Sequence, residues 1–258
     1  MPLIDIHCHL LPAIDDGAAD RTESLAMARL ATSDGIQAIV VTPHQLGPFA
    51  HTRGETIRAQ AEAFARALNE ERVALRILPG AELRIEPGFA ASELVARLKG
   101  GELLTLADQR RHVLVDLPEQ AYVGLDDLLA ELTAAGMVAI LAHPERNREI
   151  LARPERLHPL VAAGCLLQVT AGSLLGEFGA DVQQLADRLI RQGIVQLVAS
   201  DAHHIHFRRP VLAAAFDHVA QHAGVEAARV LFHLNPASIV AGRPVVSIDR
   251  ARGPDQTL

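Results

Sequence analysis

The chain has no tryptophan, one tyrosine and only 3% aromatic residues, so its interior cannot rest on aromatic stacking. Leu, Val, Ile and Ala must fill it. With 49% hydrophobic residues over 258 positions, there is enough apolar surface for a large core. Cysteine is as scarce. Cys8 and Cys165 stand far apart with no Cys-x-x-Cys, and both fall in apolar runs as packed thiols, so a reducing, cytoplasmic setting is expected. No apolar run reaches the roughly 18 residues of a membrane span. No charged-then-apolar leader precedes the first strand-like run at Leu3. A basic stripe is missing too, and the net charge of -7 argues against general nucleic-acid binding.

What is present is regular alternation. Short apolar runs at Leu3–His7, Gln37–Thr42, Leu75–Pro79, Val113–Leu117, Val138–Ala142, Leu166–Thr170 and Val195–Ser200 read as strands. Amphipathic stretches separate them: Arg21–Ser33, Glu55–Asn69, Phe89–Leu98, Leu125–Ala135, Arg156–Ala163 and Ala180–Gln192. Gly35, Gly136, Gly164 and Gly193 sit where helix C-caps belong. Two more helical stretches follow, Pro210–Ala223 and Glu226–Phe232, and the tail from Gly242 is expected to be partly irregular. Strand-helix units in this order predict an α/β fold with a parallel sheet. The length suits closure into a TIM-like barrel, with an open doubly wound sheet as the alternative. No linker or repeat divides the chain, so residues 1–258 are read as one domain.

Polar residues recur at the ends of these runs. His7 and His9 close the first, with Asp15-Asp16-Gly17 in the loop beyond. His44 follows the second and Glu82 the third. Asp116 lies near the end of the fourth, His143 follows the fifth, and Asp201 and His203 follow the seventh. The sixth offers only Thr170 and Ser173. A parallel barrel gathers its strand C-termini at one face. Taken singly, each group has an ordinary role: Asp15 or Asp16 as a helix cap, Asp116 as a partner of Arg110 or Arg111, a lone His as a hydrogen-bonded core residue. Together they would crowd carboxylates and imidazoles without compensation, a conflict that divalent ions remove. Nine candidates exceed the need of one tetrahedral zinc. The thiolate-free donor set fits Mn, Fe or Zn.

The ordered set Asp5-Ile6-His7-Cys8-His9, Asp15-Asp16-Gly17, Glu23-Ser24, Thr42-Pro43-His44, Gly80-Ala81-Glu82, Ala142-His143-Pro144-Glu145-Arg146 and Ser200-Asp201-Ala202-His203 resembles the polymerase and histidinol phosphatase (PHP) superfamily. Within it, the chain is most similar to the metal-dependent tyrosine-protein phosphatases of bacterial capsule and exopolysaccharide clusters. The resemblance implies a distorted (β/α)7 barrel and three divalent ions, manganese first, with iron or zinc as alternatives. The ligands it implies are His7, His9, Asp16, His44, Glu82, Asp116, His143, Asp201 and His203. Asp116 departs from the family's usual Glu, which puts one metal position in question. Phosphotyrosine would be hydrolysed by a metal-bridged hydroxide. Arg146 and Arg209 would contact phosphate, and His203 or a bound water would help the leaving group. The segment His204-Ile205-His206-Phe207-Arg208-Arg209-Pro210 leaves open whether Arg208 or Arg209 takes that position.

Thiol-based phosphatase chemistry is excluded. It needs Cys-x5-Arg, and the residues six beyond Cys8 and Cys165 are Ile14 and Ala171. The resemblance also implies a phosphotyrosine protein substrate, the tail of a bacterial tyrosine autokinase. Rival expectations are another PHP phosphoesterase, such as a histidinol-phosphate phosphatase, and a metal-binding regulatory protein without turnover.

Overall fold

A computed structural model describes residues 1–247. Strands β1 (Leu3–Cys8), β2 (Ile36–Val41), β3 (His44–Gln45), β4 (Arg76–Pro79), β5 (Glu82–Arg84), β6 (His112–Asp116), β7 (Val138–Ala142), β8 (Leu166–Thr170) and β9 (Leu197–Ala199) alternate with helices along the chain. All ladders are parallel. One sheet has the order β1-β2-β4 and the other β3-β5-β6-β7-β8-β9. The α/β parallel expectation therefore holds, but among the described residues no hydrogen-bonded sheet closes into a ring.

The local sequence explains the interruption. Thr42-Pro43 separates β2 from β3, and Gly80-Ala81 separates β4 from β5, so both neighbouring strands break at the same level. Pro43 has no N–H for a ladder. Gly80 admits no side chain, since a Cβ there would lie 2.7 Å from Val40 Cγ1. At the far edges, β1 meets the segment just after β9 through an isolated bridge, Cys8 to Ala202, with Asp201 N–H donating to His7 O (2.8 Å) and His9 N–H to Ala202 O (2.8 Å).

Two apolar clusters follow the alternation of side chains along each strand. Ile6, Val40, Leu114, Ile140 and Leu197 come from five different strands and meet in the smaller cluster, with Leu78 and Leu166 packed against it. Leu106 and Ile239 join them. The larger cluster packs the opposite strand faces, through residues such as Ile39, Val113, Leu141 and Val169, against the helices. Cys8 and Cys165 are both buried in it as free thiols.

Most helices start and stop within a few residues of their expected bounds. The long amphipathic ones are Arg21–Ser33, Gly54–Glu70, Ala91–Gly100, Asp126–Ala134 and Ala180–Arg191. The first is capped by Asp20, whose side chain accepts from Glu23 N–H, leaving Asp15 and Asp16 free of that task. Short helices at Arg148–Ala152, Ala171–Leu174 and Asn235–Val240 have too few residues to show a period. From Arg243 to Ser247 the chain has no regular structure, and the expectation for the remaining tail lies outside the described residues. Among the described residues, no helix is long and apolar enough to cross a membrane.

Candidate metal centre

Parallel strands place their C-terminal ends on one face; seven of the nine predicted donors arrive there or in the loops just beyond, and His44 and Glu82 open the short strands β3 and β5 that follow the ends of β2 and β4. Glu82 is the hub. Its Oε2 lies 3.3 Å from His7 Nε2, 3.4 Å from His9 Nε2 and 3.0 Å from His44 Nδ1, and its Oε1 lies 3.0 Å from His143 Nε2. Asp201 Oδ1 sits 3.3 Å from His7 Nε2 and 3.5 Å from His9 Nε2. Asp16 Oδ1 lies 3.5 Å from both His44 Nε2 and His203 Nε2. Three overlapping donor groups result: His9, Asp16, His44 and His203; His7, His9 and Asp201; His7, Glu82 and His143.

The proton inventory shows why these groups need a cation. A neutral imidazole has one N–H and one lone pair. His7 Nδ1 faces Gln168 Oε1 at 2.7 Å, His9 Nδ1 faces Asp15 Oδ2 at 2.7 Å, and His203 Nδ1 faces the Asp201 carbonyl at 3.0 Å. Each acceptor fixes the proton on Nδ1 and turns the Nε2 lone pair inward. Those lone pairs then confront carboxylate oxygens. Glu82 Oε2, Asp201 Oδ1, His203 Nε2 and His44 Nδ1 are buried with no hydrogen-bond partner. Such atoms are costly to leave unmatched, and divalent ions between them satisfy all of them at once. The residues therefore fit a metal cluster.

The electrostatics show the same demand for positive charge. Burial opposes charge on His9, yet Asp15 and Glu82 raise its pKa to about 10. Burial likewise opposes ionisation of Glu82 and Asp201, but the histidines around them hold both carboxyls well below their usual range. His203 goes the other way, with burial and the neighbouring His9 depressing it to about 4.

Asp116 stands apart. It belongs to none of the three donor groups. Its Oδ1 lies 3.8 Å from His143 Nδ1, and its Oδ2 accepts from Arg84 Nη1 at 3.0 Å, so its partner is neither Arg110 nor Arg111. Burial and the nearby Glu82 raise its pKa.

A cavity of about 180 Å³ opens over the cluster. Arg146 and Arg208 line it, and both guanidiniums donate to Asp201 Oδ2, Arg208 at 2.6 Å. Arg146 also lies over the Phe178 ring, 4.4 Å from its centroid, rather than against Glu145 or Glu149. The expected Arg209 is exposed and does not line the cavity. Arg208 itself takes a φ of 47°, and this reversal turns its side chain inward where its neighbour's is not.

The donors are held by groups the sequence reading passed over. Asp5 is buried and accepts from Ser200 N–H (3.0 Å) and Ser200 Oγ (2.5 Å), clamping the residue before Asp201. Asp201 and His143 adopt φ values of 50° and 33°, strained for non-glycine residues and tolerated where surroundings over-determine them. Glu145 accepts from Thr170 N–H (2.9 Å) and Ser173 Oγ (2.6 Å), tying the turn between His143 and Arg146 to the end of β8. Gly17 lets the Asp15-Asp16 loop lie against β1, since a Cβ there would be 2.2 Å from His9 O. Gln168 carried a signal, as the one polar amide in an apolar strand, and Asp5 carried another, at the same strand spacing as His7 and His9.

Comparison with known proteins now bears on this geometry. Residues 3–241 match the family described as capsular polysaccharide synthesis, CpsB/CapC. The chain belongs to the CpsB/CapC family. The tyrosine-protein phosphatase YwqE of Bacillus subtilis is 38% identical over 207 residues, covering 80% of this chain and 79% of YwqE. The putative tyrosine-protein phosphatase CapC of Staphylococcus aureus is 30% identical over 217 residues, covering 83% and 82%. A chain from the crystal structures of YwqE from Bacillus subtilis and CpsB from Streptococcus pneumoniae, described as metal-dependent tyrosine phosphatases, superposes with a TM-score of 0.88 at 34% identity. It covers 95% of this CpsB/CapC chain and 97% of its own length.

Proposed function

We propose that this protein is a metal-dependent protein-tyrosine phosphatase. The observation that carries the reading is the set of inward-facing imidazole and carboxylate atoms without partners, beneath a cavity lined by two arginines. Family membership and the names of its relatives support it. The three overlapping donor groups favour three ions, and the mixed nitrogen and oxygen donors favour manganese, with iron or zinc as alternatives. Asp116, held by Arg84, ranks last among the proposed ligands. The two parallel sheets are read as arcs of one distorted seven-unit barrel, on the ground that five strands share one interior cluster. One cytoplasmic catalytic domain belongs to the same proposal.

Bound divalent ions would supply Lewis acidity and acidify water. The protein does the rest. His7, His9, His44, His143, His203, Glu82, Asp16 and Asp201 would hold the ions. Arg146 and Arg208 present paired N–H donors to non-bridging phosphoryl oxygens, a geometry suited to guanidinium. Arg208 takes the role first given to Arg209. His203, with its pKa at about 4, is uncharged at neutral pH; it keeps its Nδ1 proton on the Asp201 carbonyl and would serve as a ligand through Nε2 rather than as an acid. The leaving phenol has a pKa of about 10 and departs without a strong acid. The proposed partner is the tail of a tyrosine autokinase in capsule or exopolysaccharide synthesis.

The test is hydrolysis of a phosphotyrosine peptide and of histidinol phosphate in parallel, with Mn²⁺, Fe²⁺ or Zn²⁺, before and after chelation. Phosphopeptide turnover that is lost on chelation and restored by metal supports the reading. Preference for histidinol phosphate, or turnover indifferent to chelator, contradicts it.

A further inference from the structure

A second groove, of about 660 Å³, lies beside the metal cavity and is lined by Arg148, Arg188 and Arg191 together with Leu151 and Leu185. The wall between the two is the short helix Arg148–Ala152. Asn147 and Ile150 line the metal cavity, while Arg148 and Leu151 line the groove. Helical spacing puts those two pairs on different faces. The wall is also tied to the cavity rim, since Arg148 N–H donates to the carbonyl of Glu119, which lines the cavity.

The charges in this groove are uncommitted. Arg153 and Arg156 nearby are paired with Glu149, and Arg156 lies over the Tyr122 ring. Arg148, Arg188 and Arg191 have no ion-pair partner among the described residues, and all three are exposed. Arg188 and Arg191 close the helix Ala180–Arg191, where positive charge suits the helix dipole. That accounts for two of them and leaves Arg148, which faces them from the opposite wall. Asp181 lies at the other end of the same helix, so the groove is positive at one end only. In a chain with a net charge of -7, three free guanidiniums around one concavity form a local reversal of sign.

We infer that this groove holds an acidic segment of the same polypeptide that presents phosphotyrosine to the metal cavity, an inference that rests on the phosphatase reading above. Charge complementarity selects the occupant: carboxylates for the arginines, with Leu151 and Leu185 offering an apolar floor to the stems between them. Geometry sets the spacing. A helix with side chains is roughly 10–12 Å across, and an extended chain crosses that with about three to four residues. The carboxylates therefore belong about four to five positions from the phosphotyrosine.

The experiment compares wild type with the double variant Arg188→Glu/Arg191→Glu on three substrates: para-nitrophenyl phosphate, a phosphotyrosine peptide with Glu at those positions, and the same peptide with Gln there. Wild type should favour the Glu peptide, and the variant should lose about tenfold in kcat/KM on it, through KM, given the small worth of each exposed charge. Para-nitrophenyl phosphate turnover should stay unchanged. Binding of the unphosphorylated Glu peptide, read by fluorescence anisotropy, should weaken in parallel and at high salt. Equal kcat/KM on both peptides in wild type, or an unchanged preference in the variant, overturns the inference and leaves the phosphatase reading intact. Binding of the Glu peptide without any phosphotyrosine hydrolysis does the reverse.

Discussion

Two buried histidine environments lie at opposite ends of the same parallel strands. His112 opens β6 at the end away from the cavity, and it is 1% exposed with Nδ1 unpartnered. Burial, helped by the adjacent Arg111, pushes its pKa down to about 4. His9 at the cavity end is as deeply buried, yet its pKa is raised to about 10. The residue type and burial match; the neighbours differ. Without a carboxylate, desolvation keeps an imidazole neutral and inert. With Asp15 behind it and Glu82 in front, the same ring becomes part of a cluster that calls for cations. A buried histidine therefore signals chemistry only through the acids gathered around it.

That contrast is broken most forcefully by the double variant His7→Ala/His9→Ala, which should strip bound metal in elemental analysis and abolish detectable turnover. Retained activity would mean the cluster is structural. Asp15→Asn leaves the ligands in place but weakens the partner that orients His9, and should cost about 10- to 100-fold in metal affinity, measured by equilibrium dialysis with Mn²⁺. Arg146→Ala should raise KM roughly tenfold, the scale of a charge-assisted hydrogen bond to phosphate, with metal content unchanged. Arg208→Ala should follow it, and Arg209→Ala should behave as wild type.

The opposite end offers the smallest functional effect. His112→Leu should leave metal content and kcat/KM unaltered and change only how stability depends on pH. The unfolded state takes up a proton on this residue near pH 6.5 and the folded state only near pH 4, so acid favours unfolding across that window. The loss is about 3 kcal/mol in full. Denaturant titrations between pH 7 and pH 4 should show a shallower fall for the variant than for wild type.

The donor cluster at the cavity end was legible because its histidines and carboxylates are polar residues placed where strand-like runs end, and such residues stand out against apolar runs. The strands themselves were legible for the same reason. What was hidden depended on three-dimensional context. The sheet breaks at Thr42-Pro43 and Gly80-Ala81 fall where the runs Gln37–Thr42 and Leu75–Pro79 end, and only the ladder shows that β3 and β5 resume together beyond them. Arg84 gave no hint that it would take Asp116 away from the donor groups. That Arg208 lines the cavity while Arg209 does not goes with one positive φ, which no pattern of hydrophobicity records. Asp5 and Gln168 stand out as polar residues within apolar strands, but their task of holding Ser200 and His7 appears only once the partners are in place.

The central claim is that the inward lone pairs and carboxylates are matched by divalent ions. Metal-stripped protein dialysed against Mn²⁺, Fe²⁺ and Zn²⁺ in turn, then assayed by elemental analysis, tests it most directly. More than one ion per chain and a matching gain in thermal stability are expected. A chain that retains none of the three, while staying folded, would contradict it.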